Sequence, residues 1–173
     1  LKILETDRLM LRAFAVSDAL NFYYLNLDPE VIKYTGDKPF DSIEKTEDFL
    51  RHYDHYLQYG FGRWAVIKKS NEEFLGWCGL KYTDASEEYD IGFRFFKRNW
   101  NHGYATEAAK ACVALGFERF GMERIVGRAM KKNTGSIRVL KKLGFTFLKE
   151  FNFDGEEGVI YKLDQREFDL QDK

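Results

Sequence analysis

Residues 89–120 constrain this chain more than any other stretch. Residues 89–96 (YDIGFRFF) alternate as a strand, with Ile91, Phe93 and Phe95 on one face and Asp90, Gly92, Arg94 and Phe96 on the other. A short polar turn, 97–102, leads straight into an alanine-rich helix over 103–120. Its stripe of Ala105, Ala108, Cys112 and Leu115 is small enough to lie close against a sheet. The first turn of such a helix has N–H groups without intrahelical partners and the positive end of the helix dipole, so it welcomes an anion. Gly103 and Ala105 leave the backbone uncovered for a phosphate, and Lys97, Arg98 and His102 add positive charge on the approach side. The segment is neither a Walker loop, since the terminal Gly-Lys-Ser/Thr is missing, nor a G-x-G-x-x-G fingerprint. Taken alone, it also fits an ordinary strand-to-helix turn with a capping glycine.

The flanking sequence supplies a mixed α+β frame. Residues 8–14 (RLMLRAF) read as a strand, Ser17 as the cap of a helix through Leu27, and Asp28-Pro29 as the start of a second short helix. Residues 34–40 form a Gly/Pro-containing loop. Asp41 and Glu44 make a capping-box pattern for a helix carrying Phe49, Leu50, Tyr53 and Leu57, ended by Gly60 and Gly62. Strands are predicted over 63–69 and 74–82 around a hairpin turn, then over 124–130, 145–151 and 158–163, with a helix over 133–143. The longest helix is thus inserted after the fourth strand.

Bulk properties narrow the function classes. A chain of 173 residues with 16 Phe and 10 Tyr fits one domain, 1–173, with a substantial core. A formal charge of −1 gives no global attraction to nucleic acid or an anionic membrane. No apolar run approaches the roughly 18 residues of a membrane span. Glu5, Asp7, Arg8 and Arg12 make the first twelve residues unlike a signal peptide. Cys78 and Cys112 have apolar neighbours and no metal-ligand spacing, which fits buried thiols in a reducing compartment, hence a cytoplasmic protein. His52 and His55 lie three apart without a third ligand and are expected on a solvated helix face; no metal is expected. Trp64 and Trp77 are expected to pack within strands.

Three segments carry a family resemblance. Trp100-Asn101-His102-Gly103-Tyr104-Ala105 falls on Gln/Arg-x-x-Gly-x-Gly/Ala, the pyrophosphate loop of the GNAT superfamily of acyl-CoA N-acyltransferases. Trp100 and the run from Gly103 to Ala108 resemble the branch typified by ribosomal-protein N-terminal acetyltransferases. Asn101 departs from that branch's Gly, although Asn is the residue other than Gly best able to take a positive φ. Residues 133–145 (NTGSIRVLKKLGF) resemble the branch's Asn-x-x-Ser…Lys-Leu-Gly-Phe, and residues 5–12 (ETDRLMLR) its Glu-Thr-x-Arg-Leu-x-Leu-Arg.

The resemblance implies an α+β fold, with a mostly antiparallel sheet of about seven strands flanked by about four helices. It also implies a splay between strands 4 and 5. Acetyl-CoA would be the co-substrate, and an amine would attack it directly. Amides near Phe95 and Phe96 would bind pantetheine and the thioester oxygen. Those of Asn101, His102, Gly103, Tyr104, Ala105 and Thr106 would hold the pyrophosphate, with Arg98 adding charge. Asn133 would cap its helix and touch the cofactor. Asp90 is the candidate base through a water, or else a strand-end residue paired with Arg or Lys; Glu87 and Glu88 are rivals in a polar turn. Leu140 stands where the family often has a proton-donating Tyr. That leaves Ser136 as a hydroxyl relay, or as a helix cap.

Lys131-Lys132 and Lys141-Lys142 are solvated faces or partners of the 3′-phosphate. The resemblance also implies that loop 34–40 borders the acceptor pocket, as a lid or as a plain connector. The acceptor is a protein N-terminal amine or a small amine such as a polyamine, amino acid or antibiotic. A catalytically weak acyl-CoA-binding module is the alternative, and both monomer and homodimer are open.

Overall fold

The computed structural model describes residues 1–171. Its strands are β1 (Lys2–Glu5), β2 (Leu9–Arg12), β3 (Arg63–Lys68), β4 (Phe74–Thr83), β5 (Glu88–Phe95), β6 (Arg124–Met130), β7 (Thr146–Phe153) and β8 (Glu156–Asp164). They form one eight-stranded sheet in the order β1-β2-β3-β4-β5-β6-β8-β7. Every pairing is antiparallel except β5 with β6. The strand beyond the expected seven is β1, whose four residues are at most half-buried and so lack a clear alternating signature.

The helices are α1 (Ala19–Leu27), α2 (Pro29–Ile32), α3 (Ile43–Arg51), α4 (His55–Tyr59), α5 (Tyr104–Glu118), α6 (Thr134–Lys142) and α7 (Gln165–Gln171). Among the described residues no helix is long and apolar enough to cross a membrane. Several helix starts differ from the sequence expectation for identifiable reasons. Ser17 does not cap α1; instead the Asp18 carboxylate accepts the Ala15 N–H at 2.8 Å and a two-pronged bond from Arg12. Ser42, not Asp41, caps α3, its hydroxyl accepting the Lys45 N–H at 3.1 Å. The helix expected to reach Gly60 breaks after Arg51, because Tyr53 and Tyr56 turn inward. The Tyr53 hydroxyl accepts the Arg63 N–H at 2.8 Å, and that of Tyr56 accepts the Phe14 N–H and donates to the Arg63 carbonyl.

Alternation gives the sheet two apolar faces. Leu11, Val66, Cys78, Ile91 and Phe95 pack beneath α5 with Ala108, Cys112 and Phe117. Ala65, Ile67, Phe74 and Phe96 pack against Phe22, Leu25 and Leu50 of α1 and α3. Burial and the neighbouring Cys78 push the Cys112 thiol well above its ordinary range, so it stays a thiol in the core.

The sheet opens between β5 and β6. They pair in parallel only at Tyr89 with Ile125 and Asp90 with Val126. Past that point β5 follows β4 as far as Phe95 opposite Gly76, while β6 stays with β8. This fork is the expected splay between the fourth and fifth predicted strands.

Candidate active site

The turn after β5 is held in a conformation few residues tolerate. Asn101 has φ 62° and Gly103 φ 78°, both left-handed, which is the reason for Asn and Gly at these positions. Such alternation turns successive N–H groups toward one concavity suited to an anion. The α5 hydrogen-bond ladder begins with the Glu107 N–H on the Gly103 carbonyl at 3.0 Å. The N–H groups of Tyr104, Ala105 and Thr106 therefore lie ahead of it, at the positive end of a 15-residue helix. Trp100 closes the turn, its indole N–H donating to the Phe95 carbonyl at 2.9 Å.

The N-terminal segment braces this loop from behind. Arg8 donates through Nη1 to the His102 carbonyl (2.9 Å) and through Nε to Glu107 (2.8 Å), and it lies 4.5 Å from the Tyr104 ring centre. The Thr6 hydroxyl and the Arg8 N–H both donate to the other Glu107 oxygen. Partial burial pushes the Glu107 carboxyl up, but the bonds from Thr6 and Arg8 outweigh it and hold it below the usual carboxylate range. The resemblance at residues 5–12 thus has a physical basis. Sequence reasoning did not assign Arg8 to the site, because its contacts span most of the chain.

The fork contains a cleft of about 440 Å³. Phe95, Asn101, Gly103, Tyr104, Ala105 and Thr106 line one side, and Asn133 and Ser136 the other. By strand alternation the Phe95 N–H faces the gap left by β6. Phe96 does not contribute as expected: its N–H is committed to the Leu75 carbonyl at 3.1 Å and its ring to the α1–α3 face. Arg98 also turns away, onto Glu73 at 3.2 Å and over the Phe96 ring. The His102 side chain folds back on the loop, Nδ1 lying 2.7 Å from the Trp100 carbonyl and the ring stacking on Tyr104.

On α6, Asn133 Oδ1 accepts the Ser136 N–H at 3.3 Å, so Asn133 supplies the cap and Ser136 does not. Leu140 is buried against Gly127 and faces the core. Of the lysine pairs, Lys132 and Lys142 line the cleft, whereas Lys131 pairs with Glu150 and Lys141 sits over Tyr161. Arg138 and Lys33 line it as well; Arg138 falls in the unspecified stretch of the 133–145 motif and Lys33 in none, so neither carries a sequence signal of its own.

Asp90 lies at the fork and lines neither this cleft nor the cavity behind it. Oδ1 accepts from Arg63 at 2.5 Å and Oδ2 from Arg128 at 3.0 Å. Gly92 makes room for Arg63, since a Cβ there would lie 2.6 Å from its Nη2. Burial and the nearby Arg63 lower the Arg128 guanidinium. With both oxygens engaged, Asp90 clamps β3, β5 and β6 together, the paired alternative weighed above. Glu88 pairs with Arg128 in the same cluster.

Behind the fork, on the α1–α3 face, lies a second cavity of about 300 Å³. Phe14, Phe22, Phe40, Phe49, Tyr53 and Trp77 wall it, with Arg63, Arg94, Asp37 and Lys38 as its charged lining. Arg94 lines both cavities. Loop 33–42 spans both: Tyr34 and Thr35 face the cleft, while Asp37, Lys38 and Phe40 face the cavity. Trp77 therefore does more than pack within its strand. His52 is exposed at the end of α3, as expected, with Nδ1 2.8 Å from the Asp48 carbonyl, whereas His55 is half-buried and its Nε2 accepts the Tyr82 N–H at 3.1 Å.

Comparison with known proteins agrees with this geometry. The family model described as acetyltransferase (GNAT) domain matches residues 8–146, and the chain belongs to this family of acyl-CoA-dependent acetyltransferases. The chain is 31% identical over 147 residues to an uncharacterised N-acetyltransferase, p20, of Bacillus licheniformis, covering 84% of this chain and 83% of that protein. The GNAT-family acetyltransferase of Bacillus anthracis superposes with a TM-score of 0.82 at 26% identity, over 96% of this chain and 99% of that one. RimL, a ribosomal L7/L12 alpha-N-protein acetyltransferase solved with coenzyme A, superposes with a TM-score of 0.77 at 17% identity. It covers 94% of this chain and 97% of its own, a likeness of fold.

Proposed function

We propose that this chain, acting as one catalytic domain, moves the acetyl group of acetyl-CoA to a primary amine that enters from the cavity behind the fork. The observation that carries this reading is the left-handed pair Asn101 and Gly103 ahead of α5, opening onto a cleft that the parted strands leave between them. The cleft residues fit the cofactor. The amides from Asn101 to Thr106 suit a pyrophosphate, and Lys132, Arg138 and Lys142 bring positive charge to the opposite wall. When bound, acetyl-CoA supplies a thioester carbon activated for attack. The Phe95 N–H, which strand alternation turns into the fork, would donate to the acyl oxygen of the bound thioester.

In the transfer a C–N bond forms and a C–S bond breaks; the amine loses one proton and the departing sulfur gains one. Ser136, on the cleft wall, relays a proton to the sulfur. Asp90 acts as a positioning residue that fixes the opening of the fork, not as the base, because guanidinium groups occupy both its oxygens. The buried thiols Cys78 and Cys112 support a reducing, cytoplasmic setting.

Two acceptor classes remain, protein N-termini and small amines. Folds shared with ribosomal-protein acetyltransferases support the first, and the limited cavity volume of about 300 Å³ favours the second. Incubation with acetyl-CoA and a panel of peptide N-termini and small amines, followed by thiol release, tests the reading. Amine-stimulated release is expected. Tight CoA binding without stimulation by any amine would identify an acyl-CoA-binding module instead.

A further inference from the structure

We propose that the cavity behind the fork selects a primary amine bearing both an aromatic or bulky apolar body and a carboxylate, with Arg94 holding the carboxylate. The inference rests on the acetyl-transfer reading above and names its acceptor class. Among the described residues Arg94 is the one that lines both cavities, so an acceptor bound to it lies beside the cofactor cleft. Its side chain is only 11% exposed, and its Nε is buried without a hydrogen-bond partner among the described residues. Nη1 donates to Asn26 Oδ1 and Nη2 to Asp37 Oδ2, each at 2.6 Å.

These partners differ in how firmly they are held. Asn26 is buried in α1, whereas the Asp37 side chain is 58% exposed on loop 33–42, next to Gly36. Asp37 is thus a detachable carboxylate on a guanidinium whose desolvation the fold already bears. A carboxylate carried by a ligand can take its place and gain charge-assisted hydrogen bonds in a low-dielectric setting.

The remaining lining defines the rest of the ligand. Trp77 lies 5.5 Å from the Arg63 guanidinium carbon and 5.3 Å from that of Arg94, and with Phe22, Phe49 and Tyr53 it offers ring faces and edges to an apolar body. A polyamine would meet Arg63, Arg94 and Lys38, with Asp37 as the only acidic lining residue among those described. The volume suits a molecule of amino-acid size better than a run of peptide.

Steady-state thiol release at saturating acetyl-CoA tests the proposal. Phenylalanine and tryptophan are compared with phenethylamine and tryptamine, with spermidine, and with an alanine-initiated peptide. The carboxylate-bearing aromatic amines are expected to exceed their decarboxylated counterparts in kcat/KM by about tenfold or more. Arg94→Gln should bring that ratio to within about twofold. Asp37→Asn, an exposed change that does not depend on the folding of the Arg94 variant, should raise the ratio because the competing carboxylate is gone. Preference for phenethylamine or spermidine, or an unchanged ratio in Asp37→Asn, would overturn the proposal. Acetylation of the peptide alone overturns it too but leaves acetyl transfer standing. If no amine stimulates release although calorimetry detects CoA binding, the acetyl-transfer reading fails and takes the proposal with it.

Discussion

The cofactor cleft and the cavity behind it share Arg94 and one loop, yet they are made of different material. The anion site proposed for the cleft is backbone from consecutive residues, Asn101 to Thr106, set by two left-handed positions. The cavity gathers residues from separate elements: Phe14 from the exit of β2, Phe22 and Asn26 from α1, Phe49 from α3, then Arg63, Trp77 and Arg94 from successive strands. A backbone site demands a conformation, so its trace is a local pattern of Gly and Asn. A side-chain site demands only that distant residues meet, so it leaves no spacing to read.

Asp90 stands where the two regions divide, and Asp90→Asn should have the largest effect. Losing the charge while Arg63 and Arg128 stay partly buried is expected to cost about 3 kcal/mol of stability. Urea unfolding measures that loss. Because both regions hang on the fork, acceptor KM and CoA affinity should weaken together while the pH dependence of kcat keeps its shape. Loss of the acidic limb of that profile, with stability intact, would return Asp90 to the role of base and dissolve the division.

Gly103→Val should separate the regions cleanly. A β-branched residue resists φ 78°, and its Cβ would lie 3.3 Å from Arg8 Nη2. CoA affinity is expected to fall about 30-fold, about 2 kcal/mol, in calorimetry. Acceptor KM at saturating acetyl-CoA should stay within about twofold. An unchanged CoA affinity would mean that the loop amides are not the phosphate site.

Legibility in the sequence follows the same division. Strand 89–96 and the helix after it were readable because period and glycine placement agree there, whereas the fork was expected only through the family resemblance that the motif order carries. The Asn133 cap was readable too, since an N-cap is a local event. Phe96 and Arg98 were misplaced because adjacency to a motif does not fix direction. Strand pairing turned the Phe96 N–H to Leu75, and a partner 25 residues away drew Arg98 to Glu73. The Asp90 clamp needed Arg63 and Arg128 to be brought together by sheet order, which no local window contains.

Ser136→Ala is a smaller test, confined to the cleft. Its hydroxyl is not the helix cap, so stability should hold while kcat drops about fivefold, the worth of one hydrogen bond near 1 kcal/mol. An unchanged kcat together with an unchanged solvent isotope effect would remove Ser136 from proton delivery.

The smallest effect belongs to His55, which supports the cavity side alone. Its ring lies 6.3 Å from that of Tyr53 in the cavity wall, and Nε2 accepts the Tyr82 N–H, a bond only the neutral ring can make. Burial, with Arg63 and Lys81 nearby, holds the imidazole below its ordinary value. The unfolded chain then binds the proton more readily than the folded one. The His55 contribution is complete above about pH 6.5 and is lost as pH falls below that value toward the folded one. Glutamine can accept the same N–H without titrating, so His55→Gln should flatten the decline in melting temperature between pH 7 and 5. Acceptor KM in the native protein should rise only at the lower pH where the folded imidazole itself takes up the proton, with CoA affinity unmoved. A parallel loss of CoA affinity would mean that the two regions are coupled through more than the fork.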